Sequence, residues 1–369
     1  MAMSRQPPTT PPTLPESRSI AIAVDRSVHA VRAQREAKNL SESIGLDQEY
    51  IGRAQTLTAE LATNLIAHAG HGVLVLSATR IGSHRQLDVI AIDRAGGIVD
   101  EQGNLAVERA LQDGYSTSGT AGLGLGAVER LSTRFDLVSA PGRGTIVWSQ
   151  LTPGPPLPLA GDLDVAAIRL PYPGLDVCGD GWAWLPRANG VAALLVDGLG
   201  HGPGAAEAAN RAQEAFYRVG DHEPVAILEA IHKALRSTRG AAGAVIAIDA
   251  VEGTMRYAGA GNIAGMLCTR QTSHSLTWPF GTLGMRVSRF VEGELPWTRA
   301  STLVLHSDGV RNHWAEDRKE ILDHQRPAIS AGILLRDHRR DRDDACALVI
   351  KCIDESRTAI PRENSEEID

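Results

Sequence analysis

The chain has 369 residues, a formal net charge of −7 and a pI near 6.0. That balance argues against a surface built to grip nucleic acid or an anionic membrane. Hydrophobic residues make up 43% and aromatics only 4%, which points to aliphatic α/β cores. The length suits two or three domains at roughly 150 residues apiece. Cys178, Cys268, Cys346 and Cys352 are widely spaced without a CxxC pair. They read as buried thiols of a reducing cytoplasm, not as a disulfide or zinc framework. The first residues lack an apolar signal core, and no run reaches the ~20 residues of a membrane span. The expectation is a soluble, cytoplasmic protein.

Residues 1–17 are rich in Pro and Thr and are expected to be a disordered tail. Ser19–Val24 suits an edge strand. The spacing from Val28 to Ile44 predicts a helix ending at Gly45. Asp47 suits the N-cap of a second helix running to about Ala69. Val73–Thr79 and Gln86–Ile92 read as neighbouring strands turning at Gly82-Ser83, and Arg134–Ala140 with Gly144–Leu151 as a hairpin turning at Pro141-Gly142. Mixed helices and antiparallel strands predict one sheet carrying helices on one face.

Between these elements lies Gly114-Tyr-Ser-Thr-Ser-Gly-Thr, then Gly122, Gly124 and Gly126 at alternate positions, then a helical pattern through Leu125, Val128 and Leu131. Such a loop brings backbone N–H groups against an anion at the positive end of a helix. Glu60 and Asn64 lie four apart, hence on one helix face. Asn is a neutral oxygen ligand suited to phosphate-bound Mg2+, and Glu beside it is placed to accept a hydroxyl proton. Asp93 ends a strand and enters Arg94-Ala95-Gly96-Gly97, where a carboxylate can accept from the exocyclic amine of adenine. Gly144-Thr145 brings a hydroxyl to a strand start nearby.

This ordered set resembles the GHKL (Bergerat) ATPase fold, and 18–152 is similar to RsbT-type serine/threonine anti-sigma kinases. The resemblance implies an α/β sandwich binding ATP and Mg2+. Glu60 would be the catalytic base and Asn64 the Mg2+ ligand. Asp93, with Gly97 and Thr145, would select adenine, and Gly122, Gly124 and Gly126 would cradle the phosphates. Kinases of this kind phosphorylate Ser or Thr on STAS-domain antagonist proteins. Ala95 stands where the family has Gly.

Pro153-Gly-Pro-Pro-Leu-Pro158 lies in a stiff linker, 153–159, before a second domain over 160–354 and a tail, 355–369. In that domain Val177-Cys-Gly-Asp180-Gly181 follows an extended stretch. The apolar run Ala192–Val196 ends in Asp197-Gly198-Leu-Gly-His201-Gly202, and Thr302–His306 ends in Ser307-Asp308-Gly309. Asp341-Arg-Asp343-Asp344 precedes the strand Cys346–Ile350. A single Asp-Gly marks a hairpin turn. Aspartates at the edges of successive strands can instead converge at one end of a sheet sandwich, where hard oxygen ligands suit Mg2+ or Mn2+. Two such ions would make a water acidic enough to attack without a protein nucleophile. Gly204–Tyr217 and Pro224–Ser237 read as helices, and Gly243–Ala250, Thr254–Ala258 and Ala264–Cys268 as a meander. The loop Trp278-Pro-Phe-Gly-Thr-Leu-Gly284 suits a substrate entrance and, equally, packing on a sheet edge.

These spacings over about 160–353 resemble the SpoIIE/RsbX branch of PPM-type protein phosphatases, implying an αββα sandwich and two Mn2+ or Mg2+. By that resemblance Asp180, Asp197, Asp308 and Asp343 would be metal ligands, together with the Gly198 carbonyl. Asp343 is preferred to Asp344. Cys346 stands where the family has Thr. His201 would lie beside the metals, where it either meets the phosphate or only completes a turn.

Together the two resemblances imply an α+β two-domain fusion of opposed activities, an RsbT-like kinase and an RsbX-like phosphatase. Both would act on STAS-domain or stressosome-type proteins in a stress-response, partner-switching circuit, with a downstream regulatory phosphatase or sigma-factor switch as further partner. Neither nucleic acid nor membrane is expected. The alternative is a phosphatase gated by a non-catalytic, ATP-sensing or partner-binding GHKL module.

Overall fold

The computed structural model describes residues 15–353 except 101, 113–123, 156 and 317. Its first half contains β1 (Glu16–Val24), α1 (Ser27–Ile44), α2 (Gln48–Asn64), β2 (Gly72–Ile81), β3 (His84–Ile92), α3 (Val107–Ala110), α4 (Gly124–Leu131), β4 (Arg134–Ala140) and β5 (Gly144–Leu151). The second half continues with β6 (Leu163–Leu170), β7 (Asp180–Arg187), β8 (Gly190–Gly198), α5 (Pro203–Val219), α6 (Pro224–Ala234), β9 (Ala241–Asp249), β10 (Thr254–Ala260) and β11 (Ala264–Cys268). It closes through β12 (Ser273–Ser275), β13 (Gly281–Thr282), β14 (Arg286–Val287), β15 (Glu292–Pro296), β16 (Thr302–His306), α7 (Lys319–Asp323), α8 (Pro327–His338) and β17 (Ala345–Cys352).

Local chemistry explains several boundaries. Gly45, at φ +77°, ends α1 in the left-handed conformation a side chain resists. The Asp47 carboxylate caps α2 by accepting from the Tyr50 N–H at 2.9 Å. The second helix keeps α geometry only through Asn64, then widens into a π turn over Leu65–Ala69, where continuous α-helix was expected. The first strand starts at Glu16, so Glu16 and Ser17 belong to the sheet and not to the tail. Tertiary contact extends it, since the Tyr217 hydroxyl donates to Ser17 Oγ at 2.8 Å. α6 ends at Ala234, short of the expected Ser237.

Among the described residues, three five-stranded antiparallel sheets are ordered β1-β2-β3-β5-β4, β15-β10-β9-β8-β7 and β12-β11-β16-β17-β6, beside a two-stranded β13-β14 pair. Side chains alternate across each strand, so every sheet has two faces to cover. In the first sheet, Leu74, Leu76, Leu87 and Val89 pack under α1 and α2. In the other two sheets, Leu195, Ile246, Leu305 and Leu348 meet between the sheets, and α5 and α6 cover the outer face of the β8-containing one. This is an α/β sandwich followed by an αββα sandwich, as the sequence predicts.

The sequence reading did not anticipate what joins them. Helix α8 is apolar from Pro327 to Leu335 apart from Ser330, ends in Arg336, Asp337 and His338, and has every residue except Asp337 buried. Such a helix needs two apolar surfaces. One is the β6–β17 face, with Ile168, Leu170 and Val349; the other is the open face of the first sheet, with Val75, Ile90, Ile146 and Trp148. The approach is so close that a Cβ on Gly332 would stand 2.9 Å from Ile146 Cγ2. Ion pairs flank the seam: Arg32–Asp176 at 2.8 Å, Arg134–Asp164 at 2.9 Å, and Arg143 to both Glu320 and Asp337 at 2.7 and 2.6 Å. The two halves therefore share one continuous core.

Candidate nucleotide and metal sites

In the first half, the residues expected to meet a nucleotide gather where α2, the end of β3, α4 and the β4–β5 turn converge. Asp93 leaves β3 and its Oδ1 accepts from the backbone N–H groups of Ala95 at 2.9 Å and Thr145 at 3.2 Å. Burial raises its pKa, opposed by those two N–H donors and then by the nearby Arg336 guanidinium. Ser139 Oγ and Thr145 Oγ1 lie 3.0 Å apart, and Ser139 Oγ also accepts from the Ile98 N–H. Gly97 passes under this group at φ +83°, where a Cβ would stand 2.7 Å from the Ala140 carbonyl. Only glycine fits that approach.

Glu60 Oε2 accepts from the Gly124 N–H at 3.3 Å. The expected base thus sits at the N-terminus of α4, where N–H groups lack helical partners and favour negative charge. Asn64 is half-buried at the junction of α2 and the π turn. Gly126 is buried, and a Cβ there would collide with the Leu111 carbonyl. Gly122 lies outside the described residues.

In the second half the strand-end aspartates come to one end of the sandwich. Asp180 opens β7 directly opposite Asp197 on β8. Asp308 follows β16 and Asp343 precedes β17, antiparallel neighbours. Burial raises the Asp180 pKa well above the ordinary carboxylate range, and the Asp197 charge raises it further. Burial, then Asp308 and Asp343, push Asp197 to about 7. Asp343 is raised by burial and by Asp308. Oxygen-only donors whose charge is disfavoured by burial and by one another are a donor set that a hard divalent cation would relieve. Among the described residues, no three acidic, His or Cys side chains form a ready-made cage.

Asp344 has another task. It is 3% exposed, and its two oxygens accept from the backbone N–H groups of Tyr172 at 2.6 Å and Gly179 at 2.9 Å. That leaves Asp343 as the acid facing Asp308. Gly198 hydrogen-bonds through its N–H to the Gly179 carbonyl at 3.1 Å, and a Cβ there would strike the Ala205 backbone. The His201 ring stacks on Tyr172 with centroids 4.9 Å apart.

Several supporting residues escaped the sequence reading. Ser307 Oγ donates to Asp180 Oδ2 at 2.6 Å and accepts from the Cys346 N–H at 2.9 Å. Asn262 Nδ2 donates to Asp308 Oδ2 at 2.7 Å. Ser307 adjoins the Asp-Gly signal and was within reach. Asn262 sits 46 positions from its partner, and only the pairing of β11 with β16 brings them together.

The profile of the family "Stage II sporulation protein E (SpoIIE)" matches residues 187–362. The Bacillus subtilis (strain 168) serine/threonine-protein kinase RsbT is 33% identical over 115 residues, covering 31% of this chain and 82% of its own length. The chain belongs to the RsbT family through that region, and its C-terminal half carries a SpoIIE domain. It thus joins an RsbT-like GHKL domain to an RsbX/SpoIIE-like PPM-type domain.

Solved structures of similar fold include RsbX in complex with magnesium, with 19% identity, a TM-score of 0.46, and coverage of 51% of this chain and 94% of that one. Another is the Mycobacterium tuberculosis serine/threonine phosphatase PstP/Ppp, with 16% identity, a TM-score of 0.44, and coverage of 52% and 99%. At those scores the likeness adds nothing to the layer order already described. Among the described residues, no helix is long and apolar enough to cross a membrane.

Proposed function

We propose that the chain is a bifunctional partner-switching regulator. Its C-terminal half removes phosphate from phosphoserine or phosphothreonine, and its N-terminal half transfers phosphate from ATP to Ser or Thr. The substrates of both are STAS-domain or stressosome-type proteins. The observation that carries this reading is the gathering of Asp180, Asp197, Asp308 and Asp343 at one end of the αββα sandwich, where burial and neighbouring charge raise the pKa values of Asp180, Asp197 and Asp343. Those residues and the Gly198 carbonyl would hold two Mn2+ or Mg2+ ions. Bound there, the ions would supply an activated water and offset charge on the phosphoryl oxygens. The protein's own part is orientation: Ser307 holds Asp180, Asn262 holds Asp308, and Asp344 ties the preceding loop to the site.

In the kinase half, Asp93 and Thr145 would receive adenine, and Asn64 would hold Mg2+ against the phosphates. Glu60 would take the proton of the attacking hydroxyl. Phosphoryl transfer depends chiefly on positioning and electrostatics, and Glu60 is positioned by the Gly124 N–H. The test is release of phosphate from a phosphoserine peptide with and without Mn2+, beside transfer from radiolabelled ATP to a STAS-domain protein. Asp197→Asn is expected to lower the first rate at least ~100-fold, as loss of a first ligand should exceed the 10–100-fold of supporting residues. Glu60→Ala is expected to lower the second ~100-fold or more, in the range of general-base loss. Full activity in either variant refutes the corresponding half.

One observation favours a second reading, a nucleotide-sensing module that gates the phosphatase. The β4–β5 turn holding Asp93 and Gly96 also carries Arg143, which bridges to Glu320 and Asp337 beside and on α8. ATP binding with no transfer, accompanied by a changed phosphatase rate, would select this reading.

A further inference from the structure

Arg169 lies on β6, the edge strand of its sheet, at the seam between the halves. One guanidinium nitrogen, Nη1, donates to the main-chain carbonyl of Asp180 at 3.1 Å. The other, Nη2, donates to the main-chain carbonyl of Ser19 at 3.0 Å. Ser19 belongs to β1, which is the edge strand of the first sheet. An edge strand leaves alternate backbone groups unpaired, and here one of them is taken up by a side chain of the other half. A single planar side chain thus joins the N-terminal strand to the first residue of the strand that carries Asp180.

We infer that Arg169 is a positioning residue that makes the grip on divalent metal depend on the seating of β1. The Asp180 carboxylate is steadied by Ser307 Oγ on one side, while its backbone is steadied by Arg169 on the other. A guanidinium presents donors in a fixed fork, so it can hold two carbonyls at a set separation. A lysine ammonium is a point donor on a flexible stem and cannot reproduce that fork. The N-terminal half thereby completes the phosphatase site without contributing a ligand. Partners that hold a metal site's ligands typically change metal affinity 10–100-fold when removed.

The inference rests on the metal-site reading given above. The seam offers a built-in control, because Arg32 also crosses it, to Asp176 at 2.8 Å in the loop ahead of β7.

Mn2+ binding to the full chain is measured by calorimetry for wild type, Arg169→Ala, Arg169→Lys and Arg32→Ala. Thermal melts and the Mn2+ dependence of p-nitrophenyl phosphate hydrolysis are recorded beside it. Both Arg169 variants are expected to bind Mn2+ at least 10-fold more weakly, with the half-saturating Mn2+ rising in parallel. Arg32→Ala should bind as wild type does, although it breaks a contact across the same seam. Should Arg169→Ala fail to fold, Arg169→Lys decides. Equal Mn2+ affinity in wild type and Arg169→Lys, or an equal loss in Arg32→Ala, overturns the inference and leaves the metal centre standing. Wild type that takes up no Mn2+ overturns the metal centre and the inference together.

Discussion

Ser307 and Lys351 both show buried polar atoms whose partners matter more than their own identity. The Ser307 hydroxyl ties Asp180 on β7 to the Cys346 N–H on β17, joining opposite sheets at the acid cluster. Ser307→Ala should raise half-saturating Mn2+ by 10–100-fold, read from a metal titration of phosphatase activity beside a thermal melt. Lys351 donates to the carbonyls of Ile321 and His324 and to Ser330 Oγ, and burial pushes its pKa down to about 7. The unfolded chain keeps that proton up to the ordinary 10.5. Between those values the unfolded state binds more protons, so stability rises with pH from about 7 to about 10. Lys351→Met should flatten that rise in a series of thermal melts. An unchanged slope would mean the ammonium is not shielded as the structure describes.

Among the elements, α8 decides most. It lies between two sheets, each contributing an apolar face, so only Asp337 in its last turn is left partly exposed. Gly332→Val should overpack it against Ile146 and cost about 1–3 kcal/mol, seen as a fall in Tm of a few degrees. The helix was missed because its mean pattern carries no polar stripe; periodicity detects a half-buried helix, whereas this one is buried all round. Pro327 at its first turn was the available signal. In contrast α1, α2, the β2–β3 pair and the β4–β5 hairpin were legible, because each shows one face to water and has turn or cap residues at its ends.

For the whole molecule, the shared core predicts that the two halves unfold together. Fluorescence from a variant retaining only Trp148, in the first sheet, and from one retaining only Trp182, in the core between the other two sheets, should report the same midpoint. Two separated transitions would show that the seam is weaker than its packing implies. The same seam carries Arg143 from the β4–β5 turn to α7 and α8, and the chain leaving α8 runs into Asp343. If nucleotide occupancy reaches the phosphatase by that route, Arg143→Gln should abolish the effect of a non-hydrolysable ATP analogue on phosphatase rate while binding of the analogue persists.

The sequence alone was sufficient for most of the first-half elements, for the main strands of the second half and for the strand-end positions of the candidate acids, while the two sandwich classes came from resemblance to known families. The elements and the acid positions follow from local rules: side-chain periodicity, caps, turns, and an aspartate at a strand end. Proximity between distant segments needed the tertiary structure. That Asn262 reaches Asp308, that Asp344 is a strut while Asp343 faces its neighbour, and that Arg169 spans two halves all depend on strand pairing and layer stacking. Such contacts link residues far apart in the chain, and no local pattern records a hydrogen bond whose two ends are brought together only when the sheets pack.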